Sequence, residues 1–524
     1  MLDINIHIFD IIIVVVYLIF IIWWGLRHGK SSDSQSYFLA GRTMPWWVVG
    51  LSLFAASISS STLVGQSGDA YATGIGVFNY HLTGVIVMIF FATFFLPLYI
   101  KSGIFTIPEF LEKRFDKRSR YYFSGICIIG NIFLDAAGAL YAGALIIKLV
   151  IPQADLQTII IIFALITASY TIPGGLSSVI NTELIQSIIL VIGSAILTIL
   201  CVRGGGLEHI QQLLMSGDIG MKLIRPLNDP SAPWLGLIVG MPILGLYFWG
   251  NNQTMVQRVL SAKTIDEGRK GMLLNGGITL LTLLIIVIPG VMAQKLFPGL
   301  EKPDMVYPSM IKGLMPIGLL GVMFAALLAA LTSALSAILN STSTLFTMDF
   351  YAAFNKKASS KKLVTVGKIT SVVIIIIATF WAPQIGKFGS LLKYYQEMLS
   401  YIAPPVVAAF LLGIFNKRVN GKGIFWGLML GLSLALILLF YKTAIFGNLH
   451  FLLIIPFLFT ICVVFMYLFS LTAPRPSEDK LLNVTFTKKV LRENMDFKSK
   501  WYKNYYFWSL ILLLMCVLIW VILA

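Results

Sequence analysis

Runs of about twenty apolar residues recur from one end of this 524-residue chain to the other. Eighteen or more such residues suffice for a helix to cross the roughly 30 Å hydrocarbon core of a bilayer. A segment in lipid must also satisfy its own backbone, which helices do and open strands do not. Windows of this length fall at 8–26, 46–73, 78–101, 121–151, 156–172, 178–203, 234–257, 271–295, 316–352, 364–385, 391–415, 424–446, 450–471 and 505–523. The expectation is an all-α polytopic membrane protein of about fourteen transmembrane helices. Only 12% of the residues are charged, about half the usual share of a soluble domain, so a soluble enzyme is excluded. The first run, Phe9 to Leu26, is followed rather than preceded by basic residues and lacks a small-residue cleavage pattern, so it reads as a retained span and not a signal peptide.

The formal charge of +16 raises the question of nucleic acid, and the placement of the charges answers it. With the N-terminus outside, the segments 27–46, 101–120, 257–270, 354–368, 416–423 and 472–504 face the cytoplasm and carry 29 of the 39 Lys and Arg residues. That is the positive-inside pattern of a multi-pass protein of the cell membrane with both termini outside. Dispersed among short loops, these residues form no nucleic-acid recognition face. The 472–504 loop holds Lys488, Lys489, Arg492, Lys498 and Lys500, which suit either anionic lipid headgroups or plain solvation. All four cysteines lie inside apolar runs, with neither a disulfide pattern nor metal-ligand spacing. Nothing points to an obligatory protein partner.

Two spans carry signs of interruption. In 46–73 the run Ser57-Ile58-Ser59-Ser60-Ser61-Thr62 puts hydroxyls at five of six positions, and such side chains compete for backbone hydrogen bonds. The 234–257 span carries Gly240, Pro242 and Gly245 in mid-membrane, where Pro removes a donor and Gly weakens the turn. The two lie five spans apart. They therefore mark the first helices of a five-plus-five inverted repeat, 46–203 and 234–415, with 8–26 and 424–523 peripheral, all in one domain spanning 1–524. Paired interruptions of this kind locate midplane binding sites in secondary transporters; small-residue packing is the competing explanation.

A dehydrated cation needs several hard oxygen ligands. In the 316–352 span, Ser333 and Ser336 share one helix face and suit a cation held between that face and carbonyls near Ala55 and Ile58. Close packing of small residues is the alternative. Ionisable groups within a bilayer usually line a pathway, which singles out Asp135 and His81. A structural hydrogen bond for Asp135, and pH sensing or an interfacial position for His81, stand as alternatives.

The chain resembles the solute:sodium symporter family, in its sodium/glucose (galactose) cotransporter branch, over roughly residues 35 to 420. The resemblance is carried by Thr106-Ile107-Pro108-Glu109-Phe110-Leu111-Glu112-Lys113-Arg114-Phe115, by Gly174-Gly175-Leu176-Ser177-Ser178-Val179, by Tyr247-Phe248-Trp249-Gly250 with Asn252-Gln253 and Gln257-Arg258, and by the 339–349 run ending in Thr347-Met348-Asp349. It implies a leucine-transporter-like five-plus-five inverted repeat, alternating access and uptake driven by Na+. It further implies a sodium site from the carbonyls of Ala55, Ile58 and Ala330 and the hydroxyl of Ser333. Ala334 stands where the family usually has a second hydroxyl, a loss for water or Thr332 to make good. A second ion in some relatives maps to Ser336 and Glu183; Glu183 is open to ligating sodium, taking up a proton or capping a helix. The solute pocket maps to Ser57, Thr62, His81, Asp135, Gly245, Thr279 and Gln396, of which only Gln396 keeps the galactose transporter's residue, and the inner gate to Phe248.

The expected function is sodium-coupled import of a small polar organic solute, with a sugar or sugar derivative favoured. Competing readings are a carboxylated solute such as sialic acid or a monocarboxylate, proton coupling, and a solute sensor that has lost transport. A membrane enzyme would need clustered Asp, Glu or His at one face, which a chain with five His and no such cluster does not offer.

Overall fold

A computed structural model describes residues 7–29, 33–150, 153–229, 231–386, 391–487 and 500–524. The basic positions Lys488, Lys489, Arg492 and Lys498 lie outside the described residues.

The apolar runs form helices: α1 (Ile8–His28), α2 (Trp46–Ser57), α3 (Ser60–Thr73), α4 (Asn79–Phe94), α5 (Lys117–Gly130), α6 (Ala137–Val150), α7 (Leu156–Cys201), α8 (Trp234–Val239), α9 (Met241–Leu246), α10 (Gln253–Leu260), α11 (Ile265–Leu280), α12 (Leu319–Leu345), α13 (Ser360–Ile385), α14 (Leu391–Phe415), α15 (Gly421–Phe446), α16 (Phe451–Ser470) and α17 (Tyr505–Ile522). No strand occurs among the described residues, which hold only the isolated bridges Met44–Ala262 and Arg225–Pro233.

Twelve helical segments of the described residues are long and apolar enough to cross a membrane, or thirteen with α2 and α3 taken as one bent span. The expected fourteen is reached because the longest of them doubles back. Gly175 within α7 has φ +61° and ψ −158°, a conformation essentially confined to glycine. The Ser178 hydroxyl reaches the Tyr170 carbonyl at 3.1 Å, although eight residues of straight helix would separate them by about 12 Å. Tyr170 and Gln186 both reach Thr332, at 3.3 and 2.9 Å. The motif Gly174-Gly175 is thus the turn of a hairpin. Gly174 also lets α1 arrive close by, since a Cβ on Gly29 would stand 2.6 Å from the Gly174 Cα.

The centre of the bundle is α12, whose described side chains are buried from Met323 to Leu345. A helix apolar all round belongs in a core, and its Ala and Ser positions let neighbours approach closely. By contrast α1, α15, α16 and α17 expose long apolar faces, such as Ile8, Phe9, Ile12 and Ile19 on α1, as lipid-facing helices do.

One expected interruption is where the sequence puts it. Between α2 and α3 the axis bends by 61°, with Ile58 at φ −101°, ψ 89° and Ser59 extended. The other is displaced. Gly240 keeps helical angles, and Pro242 sits in the first turn of α9, where its missing N–H is not needed. The helix gives way instead at a π-helical turn, Tyr247–Asn251, followed by Asn252 in an extended conformation (φ −76°, ψ 123°).

Candidate functional site

The break after α2 leaves carbonyls that a continuous helix would have used. The N–H of Ser59 turns to the Thr62 hydroxyl at 3.3 Å, and the N–H of Thr62 to the Ser59 hydroxyl at 3.2 Å. This reciprocal cap starts α3 and takes away the helical partners of the Ala55 and Ile58 carbonyls. Ala55 is met from across the core by Ser333, whose hydroxyl donates to its carbonyl oxygen at 2.8 Å. Of the residues the resemblance implies for sodium, Ala55 on α2 and Ser333 on α12 are therefore adjacent, and both helices are deeply buried there.

Thr332, named as a substitute for the hydroxyl lost at Ala334, is engaged elsewhere. Its own hydroxyl donates to the Leu328 carbonyl at 2.7 Å and accepts from Gln186 at 2.9 Å. The residues of the second-ion reading have partners of their own. Glu183 is fully buried and its carboxylate is bound by Arg258 and by the Ser52 hydroxyl, while Ser336 donates to the Ser333 carbonyl at 2.9 Å. Glu183 belongs to a buried ion pair with Arg258.

Beside the break lies a cavity with two lobes of about 160 and 180 Å³ that share Ser57, Thr62, Gln66, Phe248 and Tyr395. Asp135 lines the first lobe; His81, Gly245, Thr279 and Gln396 line the second. All the expected solute positions thus converge here, and Phe248 stands between the lobes, its ring edge-on to Trp249 at 5.0 Å. His81 bonds through Nε2 to the Gln66 side-chain oxygen at 2.7 Å, and Gln396 accepts from the Tyr80 hydroxyl at 3.0 Å. Ser57 donates to the Phe54 carbonyl at 2.9 Å. Thr279 lies 3.5 Å from Asn275 and is almost fully buried.

Asp135 is held by a π-helical turn, Asn131–Ala136, that joins α5 to α6. Such turns insert one extra residue and recur at functional sites. Its carboxylate accepts from the Tyr395 hydroxyl. The Asn131 amide, oriented to accept from Thr342 at 2.9 Å, donates to it at 3.2 Å. Gln66, Tyr80, Asn131 and Tyr395 are absent from the sequence-based expectation. Gln66 was within reach, since it lies one turn beyond Thr62 on the same face of α3.

Phe248, Trp249 and Asn252 apart, residues of the motifs that carry the resemblance also assemble outside the cavity lining. Asp349 accepts from Thr106 at 2.6 Å, from Arg120 at 2.7 and 2.9 Å and from Ser124, and Arg120 continues to Glu112 at 2.5 Å. Gln253 accepts from the Ile107 N–H at 2.8 Å, while Gln257 donates to the Phe38 carbonyl at 2.5 Å and to Thr344 at 2.9 Å. With Glu183–Arg258 these contacts tie the two halves of the bundle together on the side of the basic loops.

Residues 37–431 match the sodium:solute symporter family. The chain belongs to that family. The symporter is 36% identical over 472 residues to solute carrier family 5 member 4 of Rattus norvegicus, covering 82% of this chain and 70% of that protein. It is 35% identical over 466 residues to sodium/glucose cotransporter 1 of Ovis aries, covering 80% and 70%. Among solved structures it resembles a Na+-coupled sialic acid symporter in a substrate-bound outward-open state, with a TM-score of 0.80 at 22% identity over 90% of this chain and 99% of the other. It also resembles the nucleobase-cation-symport transporter Mhp1 in a closed conformation, with a TM-score of 0.58 at 15% identity over 87% and 98%. The symporter has the leucine-transporter-like fold. It is a multi-pass membrane transporter and not an enzyme; it moves a small solute, and sodium is its coupling ion.

Proposed function

We propose that the symporter imports a sugar or sugar derivative across the cell membrane. The observation that carries this reading is the buried cavity beside the α2–α3 break, where hydroxyls, amides, an imidazole and a carboxylate face one another across Phe248. A polyhydroxylated solute needs that density of donors and acceptors, since each buried polar group left unpaired costs about 1–3 kcal/mol. The sodium/glucose cotransporter names of relatives 34–35% identical over most of the chain support the same solute class.

Sodium binds the carbonyls of Ala55, Ile58 and Ala330 and the hydroxyl of Ser333, and holds the end of α2 against α12. Solute then binds where the bend begins, and each ligand favours the other by the same factor. The halves 46–203 and 234–415 act as the two repeats that rock against each other, with 8–26 and 424–523 outside them. Both termini face outward. Asp10 of α1 accepts from the N–H groups of Gly318 and Gly321 at 2.8 and 2.7 Å, and the Leu523 carbonyl accepts from Leu223 at 2.7 Å, so both chain ends meet loops opposite the basic ones. Uptake of radiolabelled sugars into proteoliposomes tests the reading: accumulation requires an inward sodium gradient, and equal uptake without one excludes sodium drive.

A further inference from the structure

The cavity is asymmetric in charge. Asp135 presents a carboxylate to the first lobe, and no Lys or Arg occurs among the described lining residues of either lobe. Its two protein partners, Tyr395 and Asn131, are neutral donors. They occupy part of the capacity of a group that accepts about four hydrogen bonds and supply no positive charge. His81, a described lining residue with a chargeable nitrogen, lines the second lobe and is bonded to Gln66. An ionised carboxylate within a bilayer is expensive unless a cation or several donors meet it. The lobe that Asp135 lines carries neutral donors, among them Ser57, Thr62, Gln66 and Tyr395, and no cationic side chain among its described residues.

We infer that the cavity selects a sugar-like solute bearing an amino group, held as an ammonium against the Asp135 carboxylate, and rejects the carboxylated analogue. This rests on the proposed function and narrows its substrate class. The ammonium supplies a counter-charge that none of the described lining residues supplies, through a charge-assisted hydrogen bond stronger than one from a neutral hydroxyl. A solute carboxylate in the same place would oppose Asp135 with no Lys or Arg among the described lining residues to offset it.

Matched series test it: glucose, glucosamine, N-acetylglucosamine and glucuronate, and the galactose and mannose counterparts. Each competes for sodium-driven uptake in proteoliposomes and is titrated against the thermal stability of the purified symporter. In at least one series the free amine binds on the order of tenfold more tightly than the parent sugar. The N-acetyl form, which keeps the nitrogen without its charge, loses that advantage, and the uronate is the weakest. In Asp135→Asn the ratio of amine to parent affinity falls toward one, whereas Tyr395→Phe, which keeps the carboxylate, retains the preference. The inference is overturned if parent sugars bind as well as amines in every series, if a uronate binds best, or if Asp135→Asn lowers both affinities alike. The comparison of free and acetylated amine on the unaltered protein decides the matter even where a variant fails to fold. Sodium-driven uptake of a neutral sugar without amine preference defeats this inference alone; absence of sodium-driven uptake for every sugar defeats the proposed function as well.

Discussion

Ser333 on α12 donates its hydroxyl hydrogen to the Ala55 carbonyl at the broken end of α2, 2.8 Å away and 278 residues distant in sequence. The same two oxygens would both face a sodium ion once the hydroxyl hydrogen rotates aside. The contact therefore joins the helix break to the core in a way that an ion can replace.

Ser333→Ala removes one oxygen ligand and leaves the helix intact. The sodium concentration for half-maximal uptake rises by roughly tenfold, the equivalent of about 1.4 kcal/mol. Ala334→Ser restores a second hydroxyl and shifts it the other way. Sodium titration of uptake checks both, and identical half-maximal values for all three proteins would remove Ser333 from the ion site.

Glu183 and Arg258 are both fully buried and paired, so removing one strands the other. Glu183→Gln or Arg258→Met alone costs roughly 3–5 kcal/mol, and the double variant recovers most of that loss. Thermal unfolding in detergent measures the cycle; additive losses would mean that the pair contributes no coupling.

Gly175→Ala meets two obstacles. The backbone angle costs about 1–3 kcal/mol for a residue with a Cβ, and that Cβ would stand 2.6 Å from the Tyr37 ring and carbonyl. Lower yield and a lower melting temperature are expected, with surviving protein still sodium-dependent. An unchanged melting temperature would show that the hairpin tolerates another turn.

Phe248 stands between the two lobes. Phe248→Ala merges them and permits solute efflux from loaded proteoliposomes without sodium, while Phe248→Tyr preserves the barrier. Efflux from the Ala variant as slow as from the parent protein would assign the gate elsewhere.

The polar cluster at 57–62 is legible because hydroxyl side chains act locally: Ser59 and Thr62 cap each other three residues apart. The displaced second interruption is less so. Pro242 is harmless where a helix has just been perturbed, whereas Asn252 ends the π-helical turn and caps α10 through its own side chain at 2.8 Å. Periodicity alone gives no sign of such a turn. The same holds at Asp135, because a π insertion rotates a side chain by about one residue relative to an unbroken helix.

Bilayer thickness and apolar run length fix the helical character and the number of crossings, both of which follow from neighbours along the chain. Which polar groups are already committed follows from contacts between residues far apart: Ser52 with Glu183, 131 residues on, and Thr106 with Asp349, 243 residues on. Glu183 is thereby committed to Arg258 and Ser52, while Asp135 lines the cavity. Burial makes each hydrogen-bonding partner decisive, and only the folded bundle assigns the partners.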